Sequence, residues 1–487
     1  MSPKSVVFLA LLSCAIAHAQ FGRGGGDWLA GGGDAQRSGS VRTDAHLSAD
    51  SVEHGIMQSL WKLKLNGTPT PPVVASRLIT YKGFKDLIFV STSTDTVYSI
   101  DHPYPRIFWE NHIPYNSLLT QVKNGTANCP AGMTASLSLA APLTAPVPGA
   151  GRGGRGGPGG PGMAGPGRGA MAQPAPVPTM PRPKRTPATV YALSSDGLIH
   201  VLNQHTGEDI APAARFIRAN AKVRDLISVG NVVYAGTADN CGGVLNGVWS
   251  VDLSDNMLYE YKTGDVSVIG MAFSQDGTLF ATTSEGLLAL EQKTLKLKQQ
   301  GPGEFITAPL VFKIDDKEFV AAGNVHGHVL VLDSAMNLVG NVNAGTGKLG
   351  SAFATWEEVP TGCPPEGCHE GMKIVTTRWL LAPKGNAIQA FKVSASGALE
   401  LAWTSRELVS PAPPIIVNGV VFALSSGSRT APAVLYALNI ANGKELWSSG
   451  KTIVGYSTTG LSAGQSKIYV GTHDGTLYAF GYTLPRE

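Results

Sequence analysis

The chain has 487 residues, of which 59 are glycine, 32 are proline, 15% are charged and 43% are hydrophobic. This length and apolar content exclude a disordered tail and allow a large buried core. The apolar residues form short runs rich in Val, Ile, Leu, Tyr and Thr, separated by Gly, Asn and Asp. That pattern indicates an all-β protein.

The formal net charge is +3, but the basic excess is local. Residues 152–185 contain six basic side chains and no acid, and Lys4 lies near the N-terminus. Without these seven charges the remainder carries about −4, so it lacks the electrostatic footprint that a nucleic-acid partner requires. We therefore expect no nucleic-acid binding.

The N-terminus reads as a secretory signal peptide. An apolar run at 5–17 is followed by a small-x-small cleavage pattern at 17–19, so residues 1–19 are predicted to be removed and the protein exported to the periplasm or beyond. The run is too short for a permanent transmembrane anchor, and no other segment has eighteen unbroken apolar residues. A lipoprotein box ending at Cys14 is an alternative that fits less well. Residues 20–58 are a lead-in segment.

A strand-turn-strand pattern then recurs eight times. The clearest copy has its turn at Asp474-Gly475, with an apolar strand before it and an alternating strand after it. Most copies begin about 40 to 47 residues apart, which is the length of one four-stranded propeller blade. The copies occupy residues 87–101, 189–203, 232–252, 278–291, 318–333, 379–392, 420–439 and 467–480. We expect an eight-bladed β-propeller of four-stranded antiparallel blades over residues 59–487.

A tryptophan follows several copies at a fixed spacing. After Ala437 come Asn439, Gly443 and Trp447, where the polar residue and glycine suit a tight turn into an outer strand. A large aromatic on that strand can bury its ring against the next blade. Four tryptophans are predicted to dock blades in this way: Trp61, Trp109, Trp403 and Trp447.

The last copy lacks an outer strand of its own. Residues 59–65 supply the missing alternation together with Trp61, so we expect this N-terminal strand to complete the last blade. Such a closure would remove the open sheet edges of the ring.

Two intervals between copies are longer than the rest. Residues 141–187 form a Gly/Pro/Arg-rich insert with almost no core-forming side chains, predicted to be a flexible excursion between the first two blades. It could tether the protein to anionic envelope polymers or to a protein partner, or serve only as a solvated loop. The second long interval, between the fifth and sixth copies, contains the Cys363–Cys368 segment.

Four cysteines remain beyond the leader, and an even number permits two disulfides in an exported protein. Cys363 and Cys368 could close a small loop, which would leave Cys129 to pair with Cys241. The four-residue spacing and two prolines disfavour haem attachment, and zinc binding with His369 would need a distant fourth ligand.

Two histidines, His326 and His328, flank a glycine at the position of a hairpin turn. Their alignment with Asp474-Gly475 favours a turn role over metal binding. We identify no catalytic residue and no metal ligand in the sequence.

The repeat spacing A-x-(D/N)-x-x-(T/N)-G-x-x-x-W and the opening segment at 27–39 resemble the pyrroloquinoline quinone (PQQ) enzyme and PQQ-like propeller family. In its dehydrogenases the resemblance implies PQQ over the central channel, Ca²⁺ held by carboxylate and amide oxygens, and an Asp base. Those ligands come from different blades, so no residue can be assigned here, and the adjacent cysteine pair of the methanol-dehydrogenase branch is absent. Other members are non-catalytic, such as an outer-membrane assembly lipoprotein that binds partner proteins through loops on one face.

The resemblance leaves two functions open, and whether the protein is an enzyme is not decided. The first hypothesis is a monomeric binding or assembly scaffold in the cell envelope, with an envelope protein as partner and no cofactor. The alternative is a PQQ- and Ca²⁺-dependent oxidoreductase of alcohols or sugars. We expect recognition at the face that carries the two long excursions, since loops on a stiff frame usually carry binding sites.

Overall fold

The computed structural model describes residues 26–55, 57–102, 104–114, 129, 132–143, 188–343, 345–359 and 376–482. Within these ranges the protein is all-β, as predicted, with one α-helix, α1 (Ala49–Glu53), and a 3₁₀ turn at Cys241–Gly243. No helix in the described part of the chain is long and apolar enough to cross a membrane. The predicted leader, Cys14, residues 144–187 of the insert and the Cys363–Cys368 segment lie outside the described residues.

Most strands belong to consecutive four-stranded antiparallel units, numbered here in chain order. Two strands, β1 (Ser40–Val41) and β2 (Gln58–Lys64), precede the first unit. Unit 1 comprises β3 (Val73–Thr80), β4 (Gly83–Ser91), β5 (Thr96–Asp101) and β6 (Arg106–His112). Unit 2 comprises β7 (Ser138–Ala141), β8 (Thr189–Leu193), β9 (Leu198–Asn203) and β10 (Ala214–Arg215). Unit 3 comprises β11 (Lys222–Val229), β12 (Val232–Ala238), β13 (Asn246–Asp252) and β14 (Met257–Gly264).

The second half of the chain repeats the arrangement. Unit 4 comprises β15 (Val268–Phe273), β16 (Leu279–Thr283), β17 (Gly286–Leu290) and β18 (Leu297–Gly301). Unit 5 comprises β19 (Leu310–Ile314), β20 (Lys317–Gly323), β21 (Val329–Asp333) and β22 (Leu338–Val342). Unit 6 comprises β23 (Ala354–Glu358), β24 (Thr377–Lys384), β25 (Ala387–Val393) and β26 (Leu399–Thr404). Unit 7 comprises β27 (Ile415–Val417), β28 (Val420–Ser425), β29 (Val434–Asn439) and β30 (Glu445–Ser448), and unit 8 contains β31 (Ser462–Gly464), β32 (Lys467–Gly471) and β33 (Thr476–Gly481).

The first strands of the units contact one another in chain order. Each lies against the first strand of the next unit, and β31 of unit 8 contacts β3 of unit 1, so the sequence of contacts closes on itself. Units 2 and 3 are also joined by hydrogen bonds, because β7 pairs in parallel with β11. Strand β1 pairs in parallel with β27 of unit 7. This arrangement of sheets is that of a β-propeller.

The fourth strand of unit 8 comes from the N-terminal part of the chain. Strand β2 pairs antiparallel with β33, placing Trp61 opposite Ala479 and Leu63 opposite Leu477. The pairing expected between the N-terminal strand and the strand ending at Phe480 is therefore present. It joins both ends of the described chain in one sheet and covers an edge of β33 that would otherwise be open.

The structure corrects the position of both long excursions. Leu139 of β7 pairs with Val190 of β8, so residues 144–187 interrupt the first hairpin of unit 2. Trp356 of β23 likewise pairs with Trp379 of β24, so residues 360–375 interrupt the first hairpin of unit 6. Placing these excursions between units was wrong, because the recognised copies are the second and third strands, and the first strands carry little pattern.

The four predicted docking tryptophans share one register. Each lies on the outermost strand of its unit, directly opposite a small residue of the third strand: Trp61 opposite Ala479, Trp109 opposite Ser99, Trp403 opposite Ala390, and Trp447 opposite Ala437. A small partner leaves room for the indole to fold over the sheet.

Two of these indoles reach across to the next unit. Trp109 Nε1 donates to the Gln204 carbonyl at 2.9 Å, and Trp403 Nε1 donates to the Ile440 carbonyl at 2.7 Å. A Cβ added at Gly207 would lie 2.4 Å from the Trp109 ring, and φ at this glycine is +76°. The glycine of the repeat is thus required both by the left-handed turn and by the ring that packs on it.

We predict that Gly207→Ala will destabilise the protein through steric conflict with Trp109. Gly230→Ala is the matched control, because Gly230 has φ +61° but no atom within 4 Å of an added Cβ. The control should lose about 1 kcal/mol from left-handed backbone strain alone. Gly207→Ala should lose roughly 1–3 kcal/mol more from overpacking. Urea unfolding of the two variants measures the difference, and equal losses would contradict a docking role for Trp109.

Candidate functional site: the hub segment

Residues 28–44, called here the hub segment, run across the first strands of the units. Backbone carbonyls of the segment accept hydrogen bonds from first-strand N–H groups of six units at 2.7–3.0 Å. The donors are Val74, Leu139, Phe273, Val311, Thr355 and Ile416, and the acceptors are Trp28, Leu29, Ala35, Gln36, Ser38 and Gly39. Side chains make the contacts to the other two units, so the hub segment touches all eight.

Small residues allow the hub segment to lie this close. Trp28 is buried against unit 1, and Ala30 and Ala35 have no exposed surface. Gly39 has φ +62°, and a Cβ on it would lie 2.9 Å from the Ala354 side chain. The Gly- and Ala-rich composition of the segment therefore follows from close backbone approach.

A buried ion pair connects the hub segment to unit 3. Arg37 Nη1 lies 2.5 Å from Asp225 Oδ1, and the two side chains are only 11% and 9% exposed. The other oxygen of Asp225 accepts from the Met271 backbone N–H of unit 4 at 2.9 Å. One carboxylate therefore ties together the hub segment and two neighbouring units.

A second carboxylate, Asp34, holds the turn of the hub segment. It accepts hydrogen bonds from the Ser38 backbone N–H at 2.9 Å and from the Ser38 hydroxyl at 2.5 Å. Burial raises the pKa of Asp34, and these hydrogen bonds only partly offset the effect.

The last contact of the hub segment lies at the seam between units 8 and 1. Both Asp44 carboxylate oxygens accept from Ser466, one from its backbone N–H and one from its hydroxyl, each at 2.7 Å. Lys467 follows directly, and its Nζ lies 3.4 Å from His102 Nδ1 of unit 1. Tyr469 packs against His102 with ring centroids 6.4 Å apart.

Burial shifts the pKa values of the ionisable side chains at this seam. It lowers the pKa of Lys467 to about 8, and burial together with the Lys467 charge lowers the pKa of His102 to about 3. Burial also raises the pKa of Tyr469 well above its ordinary value. His102 is therefore neutral at physiological pH and accepts a hydrogen bond from the Lys467 ammonium.

The described residues do not assemble a metal centre. In the described ranges, no group of three or more His, Cys, Asp or Glu side chains is close enough to hold an ion. His326 faces Glu304 at 3.6 Å while His328 Nδ1 contacts Asn341 at 2.6 Å, so the two turn histidines have separate partners. Hard-cation coordination needs several free converging oxygens, and the Asp34 and Asp225 carboxylates are already hydrogen-bonded. These two carboxylates are committed to the frame and do not by themselves form the oxygen set that Ca²⁺ requires.

The structure contains a disulfide between Cys129 and Cys241, which are 112 residues apart in sequence. It links the connection between units 1 and 2 to the second hairpin of unit 3. The proposed partner bridge, Cys363–Cys368, lies outside the described residues.

Sequence reasoning missed the hub segment. Residues 28–44 fall in the predicted lead-in, and their Gly- and Ala-rich stretch has neither strand nor helix periodicity. Trp28, Asp34 and Arg37 lie close together in a short glycine-rich stretch, and this combination is the signal that could have identified the hub segment.

Residues 246–480 match the family model described as outer membrane protein assembly factor BamB, a model of PQQ-like repeats. The match covers just under half of the chain and shows PQQ-like repeats in that part. No curated protein matches it in sequence.

Among solved structures, the protein is similar to the quinohaemoprotein alcohol dehydrogenase ADHIIG from Pseudomonas putida HK5, with 11% identity and a TM-score of 0.59 over 95% of this chain and 81% of that one. It is similar to a europium-containing methanol dehydrogenase, with 12% identity and a TM-score of 0.59 over 94% and 98% of the two chains. The computationally designed Ika8 protein gives 11% identity and a TM-score of 0.54 over 87% and 99%. At these identities the likeness is one of fold.

We predict that breaking the Arg37–Asp225 pair will strongly destabilise the protein. Arg37→Met removes the cation and leaves a buried carboxylate with one donor, which should lower the free energy of unfolding by about 3–5 kcal/mol. The double variant Arg37→Met/Asp225→Asn removes the unpaired charge and should recover part of that loss. Chemical denaturation of both variants measures the coupling, and strictly additive losses would count against it.

A second prediction concerns pH and the seam. Below pH 6.5 the unfolded chain binds a proton at His102 that the folded chain does not bind until about pH 3. His102 should therefore lower the free energy of unfolding by about 1.4 kcal/mol per pH unit as the pH falls from 6.5.

His102→Gln should flatten this part of the stability profile between pH 6.5 and 4, measured by denaturant unfolding at several pH values. His54→Gln is the control, because His54 is exposed and should leave the wild-type slope in place. Identical slopes for His102→Gln and the wild type would refute the burial of a neutral imidazole.

Proposed function

We propose that this protein is an exported binding or assembly scaffold of the cell envelope, and that its eight units are the blades of one closed ring. The observation that carries the proposal is the hub segment, which binds the first strands of seven units and the first turn of unit 8 with the chain's own groups. The Asp34, Asp44 and Asp225 carboxylates there are hydrogen-bonded within the frame. The surfaces left for recognition are then the turns and outer strands.

Two further observations support an envelope role. The family model that matches residues 246–480 is described as an outer membrane protein assembly factor. The Cys129–Cys241 disulfide is typical of proteins outside the reducing cytoplasm, in agreement with the predicted leader at 1–19.

We place the binding surface at the edge formed by the first hairpin turns. Residues 144–187 lie between the two strands of the first hairpin of unit 2. Residues 360–375 lie between the two strands of the first hairpin of unit 6. First-hairpin turns of different units lie at the same edge of a propeller, since every unit runs in the same direction. Long loops on a rigid scaffold are where binding residues concentrate.

The alternative is a PQQ-dependent oxidoreductase of alcohols or sugars. The likeness to the Pseudomonas putida and europium-containing dehydrogenases favours it at the level of fold. Against it stand the engaged hub carboxylates, which offer no open oxygen set for Ca²⁺. We therefore assign no catalytic step to these residues.

One experiment separates the two functions. Tagged protein is used to capture partners from envelope extracts of the source organism, and in parallel is titrated with PQQ and Ca²⁺ while absorbance and dye-linked oxidation of alcohols and aldoses are recorded. We expect a defined envelope protein in stoichiometric amount and no quinone-dependent turnover. Stoichiometric PQQ binding with turnover would replace the scaffold by the enzyme.

A variant in which residues 144–187 are replaced by a short Gly/Ser linker tests the proposed edge. Its capture of the partner should fall at least tenfold relative to the full chain, with the same thermal unfolding midpoint. The matched control is Leu338→Ser, an exposed change on the outer strand β22, which should capture normally. Equal capture by the linker variant would exclude the unit 2 excursion from the interface.

A further inference from the structure

The first hairpin of unit 1 projects beyond its sheet. The outermost backbone hydrogen bond between β4 and the end of β5 runs from the His102 N–H to the Asp86 carbonyl, at 3.0 Å. Three more ladder pairs of β3 with β4 lie farther out: Leu78 with Lys85, Ile79 with Phe84, and Thr80 with Gly83. At about 3.3 Å per residue, this ribbon extends roughly 10 Å past the third strand. The turn itself has two residues, as in units 3, 5, 7 and 8, so the projection comes from the length of β3 and β4.

The projecting end is apolar and exposed. Ile79 is 60% exposed, Tyr81 71%, Phe84 77%, and Tyr104, in the β5–β6 turn at the same end of the sheet, 62%. We call these four residues the apolar tip. Ile79 and Phe84 are direct ladder partners, so their side chains share one face of the ribbon. A cluster of exposed large apolar side chains on one projection indicates an interaction site.

The charged side chains around the apolar tip are mainly basic. Lys82 lies at the turn with its Nζ 5.2 Å from the Tyr81 ring centroid and 5.1 Å from that of Phe108. Lys82 and Arg106 are exposed and form no ion pair with a described residue. Lys85, by contrast, is neutralised by Asp101 at 2.7 Å.

Three more charged side chains, Arg77, Asp27 and Asp86, lie at the base of the hairpin. Asp27 accepts from the Ser76 backbone N–H at 2.8 Å, and Asp86 accepts from the Arg77 backbone N–H at 2.7 Å. The exposed charges nearest the apolar tip are Lys82 and Arg106, and both are basic.

We propose that the apolar tip inserts into the interface of a lipid bilayer that contains anionic lipids. A convex projection needs no complementary pocket in a bilayer, whereas a protein partner would have to supply one. Phe84 and Ile79 can enter the boundary of the acyl chains while Tyr81 and Tyr104 remain at headgroup level, where tyrosine is favoured. Lys82 and Arg106 complement anionic headgroups.

Vesicle flotation tests the proposal with the full processed chain, shown by mass spectrometry to carry no acyl group. The vesicles are phosphatidylcholine alone or phosphatidylcholine with phosphatidylglycerol. We expect the wild type to float with the phosphatidylglycerol vesicles and to dissociate at high salt. Tyr81→Ser/Phe84→Ser should bind at least tenfold more weakly, and Lys82→Glu/Arg106→Glu should lose the preference for phosphatidylglycerol.

Leu338→Ser/Val454→Ser is the matched control, since it removes two apolar side chains that are 54% and 69% exposed away from the apolar tip. It should bind vesicles like the wild type. All the replaced side chains are exposed, and an unchanged thermal midpoint confirms that each variant folds. A wild type that fails to float, or a Tyr81→Ser/Phe84→Ser variant that floats like the control, overturns the proposal.

An acidic soluble protein captured through the apolar tip, without vesicle binding, would also overturn it. The proposal is independent of the scaffold function, because the tip variants should capture an envelope partner from detergent extracts as well as the wild type does. A wild type that floats with the vesicles but captures no envelope partner would instead count against the scaffold alone.

Discussion

The structure depends on what covers the inner edge of each sheet. The first strand of every unit has one edge paired within its own sheet and one edge with N–H groups that face its neighbours. Unpaired backbone donors away from water are costly, so they need acceptors. The hub segment supplies carbonyls to six of these strands and side-chain contacts to β11 and to the first turn of unit 8. Seventeen residues thereby place eight units relative to one another.

The tryptophan contacts hold neighbouring units together at the outer strands. Adjacent sheets twist apart with distance from the centre, which opens a wedge between them. Trp109 and Trp403 fill two of these wedges and donate to a carbonyl of the following unit. The hub segment sets the inner spacing of the units, and the indoles set the outer spacing. A change in either position therefore acts on the interface between two units, in addition to the sheet that carries it.

The sequence predicted the parts of each unit whose local chemistry is strong. The second and third strands are joined by turns such as Asp474-Gly475 and alternate clearly, so the all-β class and the β2–β33 pairing could be inferred. Several first strands are short, with four residues in β7 and three in β27 and β31, and they give little sequence pattern. That weakness put residues 144–187 and 360–375 between units. The hub segment was invisible for a related reason: its role comes from contacts with strands hundreds of residues away, and its small residues have no periodicity.

The same division explains where function can vary. Residues of the hub segment and the docking tryptophans are constrained by several units at once, and a substitution there disturbs the frame. A first-hairpin turn touches only its own two strands, so its length can differ freely from unit to unit. Units 1, 3, 5, 7 and 8 have two-residue turns, the strands of the unit 1 hairpin extend into an apolar ribbon, and units 2 and 6 have long excursions. The three first hairpins that differ from the rest belong to units 6, 1 and 2. Units 1 and 2 are adjacent, and only units 7 and 8 lie between unit 6 and unit 1. The proposed membrane contact and the proposed protein contact can therefore be held at a fixed separation by the propeller, because neither depends on the residues that maintain the frame.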